Sequence, residues 1–293
     1  MKTNDTLLEI INLKKYYGKT RGVEDVTIKL NRGEVYGFIG PNGAGKSTTI
    51  RTLMNLINKT SGTILIDGKK LNKNDLTLKE MIGYLPSEIY LYDDLTVKAM
   101  LDFHESFYKK DTNKRRKKLV KLLNLDESKK VEDLSLGNTK KLGIVLALMH
   151  EPKILILDEP TSGLDPIMQN VFYNLLLEEK KKGTTILYST HILSEVSKIC
   201  DRIGIIKDGK IIREDTVENL EKNNLTNLTV ESEEISKIKE ELGLNIISEE
   251  NNVIKFANNL SPNELLNKLS KYKISKLLIE EVTIEELFMD YYK

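Results

Sequence analysis

One eight-residue block constrains this chain more than any other. Gly40-Pro41-Asn42-Gly43-Ala44-Gly45-Lys46-Ser47 has the form G-x-x-x-x-G-K-[ST]. Before it stands a compact apolar run, Val35-Tyr36-Gly37-Phe38-Ile39. After it, residues 48–57 show helical spacing, with Ile50, Leu53, Leu56 and Ile57 expected on one face. Strand, glycine-rich turn and helix in that order let backbone N–H groups converge on a phosphate. The glycines remove Cβ atoms that would block the approach, and the helix start adds unpaired donors and the positive end of its dipole. In such a loop Lys46 reaches the β- and γ-phosphates and the Ser47 hydroxyl is a Mg2+ ligand. Gly40, Asn42, Gly43, Gly45 and Thr48 complete the expected cradle.

A second segment carries charge where a core would not. Ile154-Leu155-Ile156-Leu157-Asp158-Glu159 is an apolar run that ends in two acids. In an open α/β sheet the C-terminal ends of the strands face the ligand crevice. There Asp158 would hold Mg2+ through water, and Glu159 would polarise an attacking water as general base. A strand end that simply meets solvent is the plainer reading; the phosphate loop upstream argues against it.

Strands and helices alternate around these two segments. Strand patterns cover residues 8–13, 23–30, 81–85 and 184–189, and helical patterns cover 96–124, 139–150, 168–182 and 192–200. Residues 203–206 and 210–212 flank the hairpin-like turn Lys207-Asp208-Gly209. The alternation predicts a mainly parallel α/β core. After the polar pair Asn223-Asn224 the order becomes strand, helix, strand, strand, helix, strand over residues 225–279, with a last helix at 284–292. That is a βαββαβ, ferredoxin-like order, a small α+β domain. Two domains are expected, 1–222 and 225–293.

Charge supports the division. Over the whole chain 45 basic residues balance 44 acidic ones, so no global basic field argues for nucleic acid. Residues 225–293, however, carry 13 acids against 8 bases, which leaves 37 bases against 31 acids in 1–224. The single cysteine, Cys200, cannot form an internal disulfide, and with His104, His150 and His191 it makes no zinc cluster. No apolar run approaches the roughly 18 residues of a membrane helix. Met1-Lys2-Thr3-Asn4-Asp5 has no apolar core behind it, so no secretory signal is expected and the chain is expected in the cytoplasm.

With these motifs in this order, residues 5–222 resemble the ATP-binding subunit of ABC transporters. The resemblance implies a P-loop NTPase ABC cassette: a RecA-like core, an antiparallel β subdomain and a helical subdomain. It implies ATP and Mg2+ as ligands, with Lys46, Glu159 and His191 as the catalytic residues. Leu13-Lys14-Lys15-Tyr16-Tyr17-Gly18 looks like the A-loop, whose Tyr17 would stack on adenine. Asp158-Glu159-Pro160-Thr161-Ser162-Gly163-Leu164-Asp165 looks like Walker B running into the D-loop, which places Asp165 at a dimer interface. His191, in Ser189-Thr190-His191, matches the switch histidine that contacts the γ-phosphate.

Two motifs depart from the family. The signature LSGGQ is here Leu134-Ser135-Leu136-Gly137-Asn138. Ser135 and Gly137 remain, and the resemblance implies that they face the γ-phosphate held by the other subunit; Ser135 is also a good helix N-cap. The glutamine of the Q-loop would follow Gly83-Tyr84-Leu85-Pro86, but Ser87 stands there. Its shorter side chain would reach the metal through a water, or the neighbouring Glu88 would substitute.

The small tail and altered signature resemble the ATPases of ABC-2-type exporters. That implies a separate ABC-2-type transmembrane permease and a head-to-tail dimer with a second copy or a paralogous ATPase. It also implies no nucleic acid and a peripheral place at the cytoplasmic face of the cell membrane. A soluble ABC ATPase acting on ribosomes or DNA is the rival reading. Ribosomal members carry two cassettes, and one phosphate loop occurs here; DNA-repair members insert coiled coils, and here only 118 residues separate Gly40 from Asp158. A nucleotide-gated regulatory module is the third. His104 and His150 match no motif. The basic run Lys114-Arg115-Arg116-Lys117-Lys118 is expected as a solvated helix face over Leu119, Val120, Leu122 and Leu123, with attraction to an anionic leaflet the lesser reading.

Overall fold

The computed structural model describes residues 5–72, 75–221, 226–242, 245–258 and 260–281. Two long strands open the chain, β1 (Thr6–Tyr17) and β2 (Thr20–Asn31), and β3 (Val35–Ile39) follows. After helix α1 (Lys46–Leu53) come β4 (Ser61–Ile66), β5 (Lys69–Lys70), α2 (Leu76–Glu80) and β6 (Ile82–Leu85). Helices α3 (Val97–Glu105), α4 (Asn113–Leu122) and α5 (Leu136–Leu148) lead to β7 (Ile154–Asp158). Then come α6 (Pro166–Lys181), β8 (Thr185–Thr190), α7 (Leu193–Ile199), β9 (Arg202–Lys207), β10 (Lys210–Thr216) and α8 (Val217–Glu221). The chain divides into two units, Met1–Val217 and Glu218–Lys293, slightly before the polar pair at 223–224.

The first unit holds a ten-stranded sheet in the order β5-β4-β1-β2-β10-β9-β3-β8-β7-β6. β3, β7 and β8 are buried at every position, and in β3 and in Ile154–Leu157 of β7 this gives an apolar run rather than an alternation. The strands from β9 to β6 are parallel, and β1, β2, β4 and β5 pair antiparallel. β9 and β10 pair antiparallel across Asp208-Gly209. Cys200 is buried beneath β3: a Cβ built on Gly37 would come within 3.0 Å of its Sγ.

Helix α1 stops earlier than its periodicity predicts. Asn55 takes a left-handed φ of 56°, its N–H donates to the Thr52 carbonyl, and Leu56 N–H donates to the Arg51 carbonyl. This closing pattern favours Gly or Asn, and it turns the chain off the helix axis. Leu56 is consequently 62% exposed and not on the buried face.

The basic run also differs from expectation. Arg115 and Arg116 are buried rather than solvated. Arg115 pairs with the buried Glu179 of α6, and Arg116 gathers Asp102, Glu105 and Glu127. Burying a guanidinium demands such partners. Leu119 and Leu123 are in the core, but Leu122 is exposed.

The second unit runs β11 (Thr226–Glu231), α9 (Ile235–Leu242), β12 (Asn245–Glu250), β13 (Val253–Asn258), α10 (Pro262–Leu269) and β14 (Lys276–Glu281). Its sheet is antiparallel, in the order β12-β13-β11-β14. Leu228, Val230, Ile254 and Phe256 from the strands meet Ile238, Leu265 and Leu269 from the helices in one core. Ser261 and Glu264 form a reciprocal capping box at the start of α10. The helix expected at 284–292 lies outside the described residues.

Candidate active site

Parallel pairing brings the chemistry to one edge. Phe38 is level with Ser189, Ser189 with Asp158, and Leu157 with Leu85. The loops that carry Gly40, His191, Glu159 and Ser87 therefore leave four neighbouring strands at one level, at the C-terminal edge where an α/β sheet binds its ligand.

The phosphate loop is shaped by two glycines. A Cβ on Gly40 would strike the Ile206 carbonyl at 2.3 Å. Gly45 caps α1 with φ 112°, and a Cβ there would meet the Gly22 carbonyl at 2.8 Å. Left-handed backbone and close approach together require glycine at that position. Lys46 is buried, and its Nζ donates to the Gly40 carbonyl at 2.5 Å and the Pro41 carbonyl at 3.3 Å. Burial pulls its pKa below the usual lysine value, while Glu159 and Asp158 act in the opposite direction. Nζ lies 3.6 Å from Glu159 Oε1.

Glu159 leaves β7 in a left-handed conformation, φ 48°, with its N–H donating to the Ser189 carbonyl at 3.0 Å. Such strain in a non-glycine residue persists where the surroundings enforce it. Its other carboxylate oxygen, Oε2, is 2.8 Å from His191 Nδ1. An ionised carboxylate can only accept, so Nδ1 carries the proton and, in the neutral ring, Nε2 is the unprotonated nitrogen. Asp158 is buried, and burial raises its pKa, with the Ser47 and Ser189 hydroxyls opposing that shift.

Above this edge lies a cavity of about 620 Å³, within the usual range for ligand sites. Its walls include Tyr17, Asn42, Gly43, Gly45, Lys46, Ser47, Thr48, Ser87, Glu159 and His191. Gly40 and Asp158 do not line it: the Gly40 carbonyl accepts from Lys46 Nζ, and Asp158 is buried. Tyr17 is half-exposed, and Lys15 Nζ lies over its ring, 4.6 Å from the centroid. Ser135, Gly137 and Asp165 do not line the cavity. Ser135 accepts from Asn138 N–H at 3.4 Å and starts α5; Asp165 accepts from Met168 N–H at 2.9 Å and starts α6.

Asp158 Oδ1 is buried without a hydrogen-bond partner. An orphaned carboxylate oxygen near the Ser47 hydroxyl fits a hard cation. Among the described residues no group of three or more His, Cys, Asp or Glu side chains could hold a metal. A cation here would therefore take its remaining ligands from phosphate and water.

Lys140 belongs to the site although no motif marks it. It is buried in α5, and its Nζ donates to the carbonyls of Pro86 at 3.3 Å, Ser87 at 2.9 Å and Glu159 at 3.4 Å. The only signal in the sequence is a charge inside a strongly apolar helix. Glu88 and Arg21 also border the cavity. His104 and His150 lie elsewhere: His150 stacks on Tyr108 at 4.3 Å and donates from Nε2 to the Ile82 carbonyl at 3.2 Å.

Comparison with known proteins gives the family and the fold. A family model described as ABC transporter matches residues 23–162. The lantibiotic transport ATP-binding protein SrtF of Streptococcus pyogenes is 43% identical over 225 residues, covering 73% of this chain and 94% of that protein. The bacitracin transport ATP-binding protein BcrA of Bacillus licheniformis is 34% identical over 298 residues, covering 97% of this chain and 96% of that protein. Among solved structures, an ATP binding subunit of an ABC transporter aligns with TM-score 0.70 at 34% identity, covering 74% of this chain and 92% of that one. A dimeric bacterial ABC transporter cassette aligns with TM-score 0.66 at 26% identity, covering 72% and 99%. The first unit has the P-loop NTPase cassette fold, and the chain belongs to the ATP-binding proteins of ABC transporters, which are ATPases.

Proposed function

We propose that this chain powers an exporter through separate ABC-2-type permease subunits, at the cytoplasmic face of the cell membrane. The observation that carries the reading is the linked set Lys46–Glu159–His191 at one wall of the cavity. Glu159 serves as the base that takes a proton from the attacking water, and His191 holds its carboxylate and presents Nε2 to the γ-phosphate side. Lys46 exchanges loop carbonyls for phosphate oxygens. Ser47 and Asp158 would hold Mg2+, with Ser87 near it through water; that ion supplies charge neutralisation on the phosphates.

Tyr17 stacks on adenine, and Gly40, Asn42, Gly43, Gly45 and Thr48 surround the phosphates. Ser135, Gly137 and Asp165 stand outside the chain's own cavity, which supports a role toward ATP in a second subunit. The dimer is head-to-tail, with another copy or a paralogous ATPase. Similarity to proteins named for lantibiotic and bacitracin transport supports export of an antibiotic.

Among the described residues no helix is long and apolar enough to cross a membrane, so the membrane part is assigned to a partner. Exposed aromatics just beyond Ser87 suit such a contact: Tyr92 packs edge-on to Phe103, and Phe103 to Phe107. The acidic residues 225–293 form a regulatory or dimer-contact domain. Truncation after Asn224, with ATPase and assembly measured, tests that role. The main reading is tested by membrane fractionation against ribosome pelleting. Membrane association that depends on a co-expressed permease supports it, and ribosome association overturns it.

A further inference from the structure

Glu195 of α7 is a buried carboxylate whose partners are four hydroxyls. Oε1 accepts from Thr161 Oγ1 at 2.5 Å and Tyr173 OH at 3.2 Å. Oε2 accepts from Thr190 Oγ1 at 2.7 Å and Tyr188 OH at 3.0 Å. Four donors saturate the acceptor sites of an ionised carboxylate. A buried charge solvated this way is costly to build, and apolar packing would serve a merely structural role better.

The placement of the four donors is informative. Thr161 lies two residues after Glu159, in the loop that holds Glu159 at φ 48°. Thr190 immediately precedes His191, and its Oγ1 also accepts from Ile192 N–H at 3.0 Å, so it brackets the histidine on both sides. Tyr188 lies on β8 and Tyr173 on α6. One carboxylate oxygen thus faces the Glu159 loop, and the other faces the His191 loop. The tips of those two loops meet in the 2.8 Å Glu159–His191 hydrogen bond.

We propose that Glu195 is a positioning residue for ATP hydrolysis, tying the loop of Glu159 to the loop of His191 so that their hydrogen bond keeps one geometry. The inference rests on the roles given above to Glu159 and His191. Glu195 touches neither residue's reacting atoms; it acts through Thr161 and Thr190. Glu195→Gln turns one acceptor oxygen into a donor, so one of the two loops loses its anchor while volume is kept.

The test compares Glu195→Gln, Thr190→Val and Thr190→Ser, each in the wild-type and His191→Ala backgrounds of the full chain. In the wild-type background Glu195→Gln and Thr190→Val should lower kcat about tenfold or more, with KM for ATP and affinity for a fluorescent ATP analogue changed less than about twofold. Thr190→Ser, which keeps the hydroxyl, should recover most of that loss. In the His191→Ala background the same substitutions should cost less than about twofold further, because the geometry they maintain is already gone. Equal losses in both backgrounds, an unchanged kcat, or no recovery with serine would overturn the inference. If Glu195→Gln does not melt cooperatively, the Thr190 pair decides alone. His191→Ala turning over at the wild-type rate would remove the underlying assignment, and this inference with it, whatever the Glu195 variants do.

Discussion

Lys46 Nζ lies 3.6 Å from Glu159 Oε1, so the phosphate loop and the end of β7 share one ion pair. Glu159→Gln removes the charge but keeps the side chain's length. Lys46 retains its bonds to the Gly40 and Pro41 carbonyls. Turnover should fall by about 10²–10⁴, the usual worth of a general base, while ATP binding persists and an ATP-bound dimer accumulates. Single-turnover kinetics with size-exclusion chromatography reads both, and normal turnover would remove Glu159 from the role of base.

Lys46→Ala has a different signature. It takes away the cation that meets the phosphates and leaves the Gly40 carbonyl without its 2.5 Å donor. A charge-assisted hydrogen bond contributes about 1.5–3 kcal/mol, so affinity for ATP should drop by about 10- to 100-fold. Titration with a fluorescent nucleotide measures it; unchanged affinity would mean that Lys46 stays on its own loop.

Lys140→Met should be felt first as stability. Three carbonyls, those of Pro86, Ser87 and Glu159, lose a common donor inside the fold. Leaving buried acceptors unpaired costs about 1–3 kcal/mol, and thermal melting should register it. Activity of the surviving protein should fall as well, since Ser87 and Glu159 are no longer held together. A variant as stable and active as the parent would reduce Lys140 to a passive core lysine.

The pair of histidines outside the site predicts a pH effect on folding. Burial pushes His150 down to about 4 in the folded state, and burial lowers His104 too. The ordinary value in the unfolded chain is about 6.5. Between these values the unfolded state takes up the proton first. The contribution is therefore complete above about pH 6.5 and shrinks as pH falls toward 4. From about pH 7.5 to about pH 5, His150 alone should remove about 2 kcal/mol. Urea unfolding at the two pH values checks this. His150→Gln keeps a donor for the Ile82 carbonyl and should flatten the difference; an equal pH dependence in that variant would assign it to other groups.

What was legible in the sequence was local. The strand-loop-helix around Gly40–Ser47 and the acid-tipped β7 announce themselves through neighbouring residues, because apolar runs and glycine positions act within a few residues. The end of α1 was not legible from periodicity, since Leu56 and Ile57 match the helical spacing although the chain leaves the helix at Asn55. Arg115 and Arg116 looked like solvent-facing charge because their acids, Glu179 and Glu127 among them, lie elsewhere in the chain. Lys140 and Glu195 escaped for the same reason. Their partners are brought by the sheet and the helices packed on it, and no spacing rule connects Lys140 to Ser87. Motifs mark the residues that meet the nucleotide; the side chains that hold those residues in place have no motif of their own.

The burial of Cys200 has a practical side. It is the only cysteine in the chain, its thiol sits closed in under Gly37, and burial raises its pKa far above the ordinary range. Only a thiolate reacts readily with maleimides or iodoacetamides. The native chain is therefore expected to behave toward such reagents as a cysteine-free background while folded, which labelling before and after denaturation checks. A single cysteine introduced at exposed Leu136 can be labelled without first removing Cys200, so a spectroscopic ruler for the proposed dimer needs one substitution and no other.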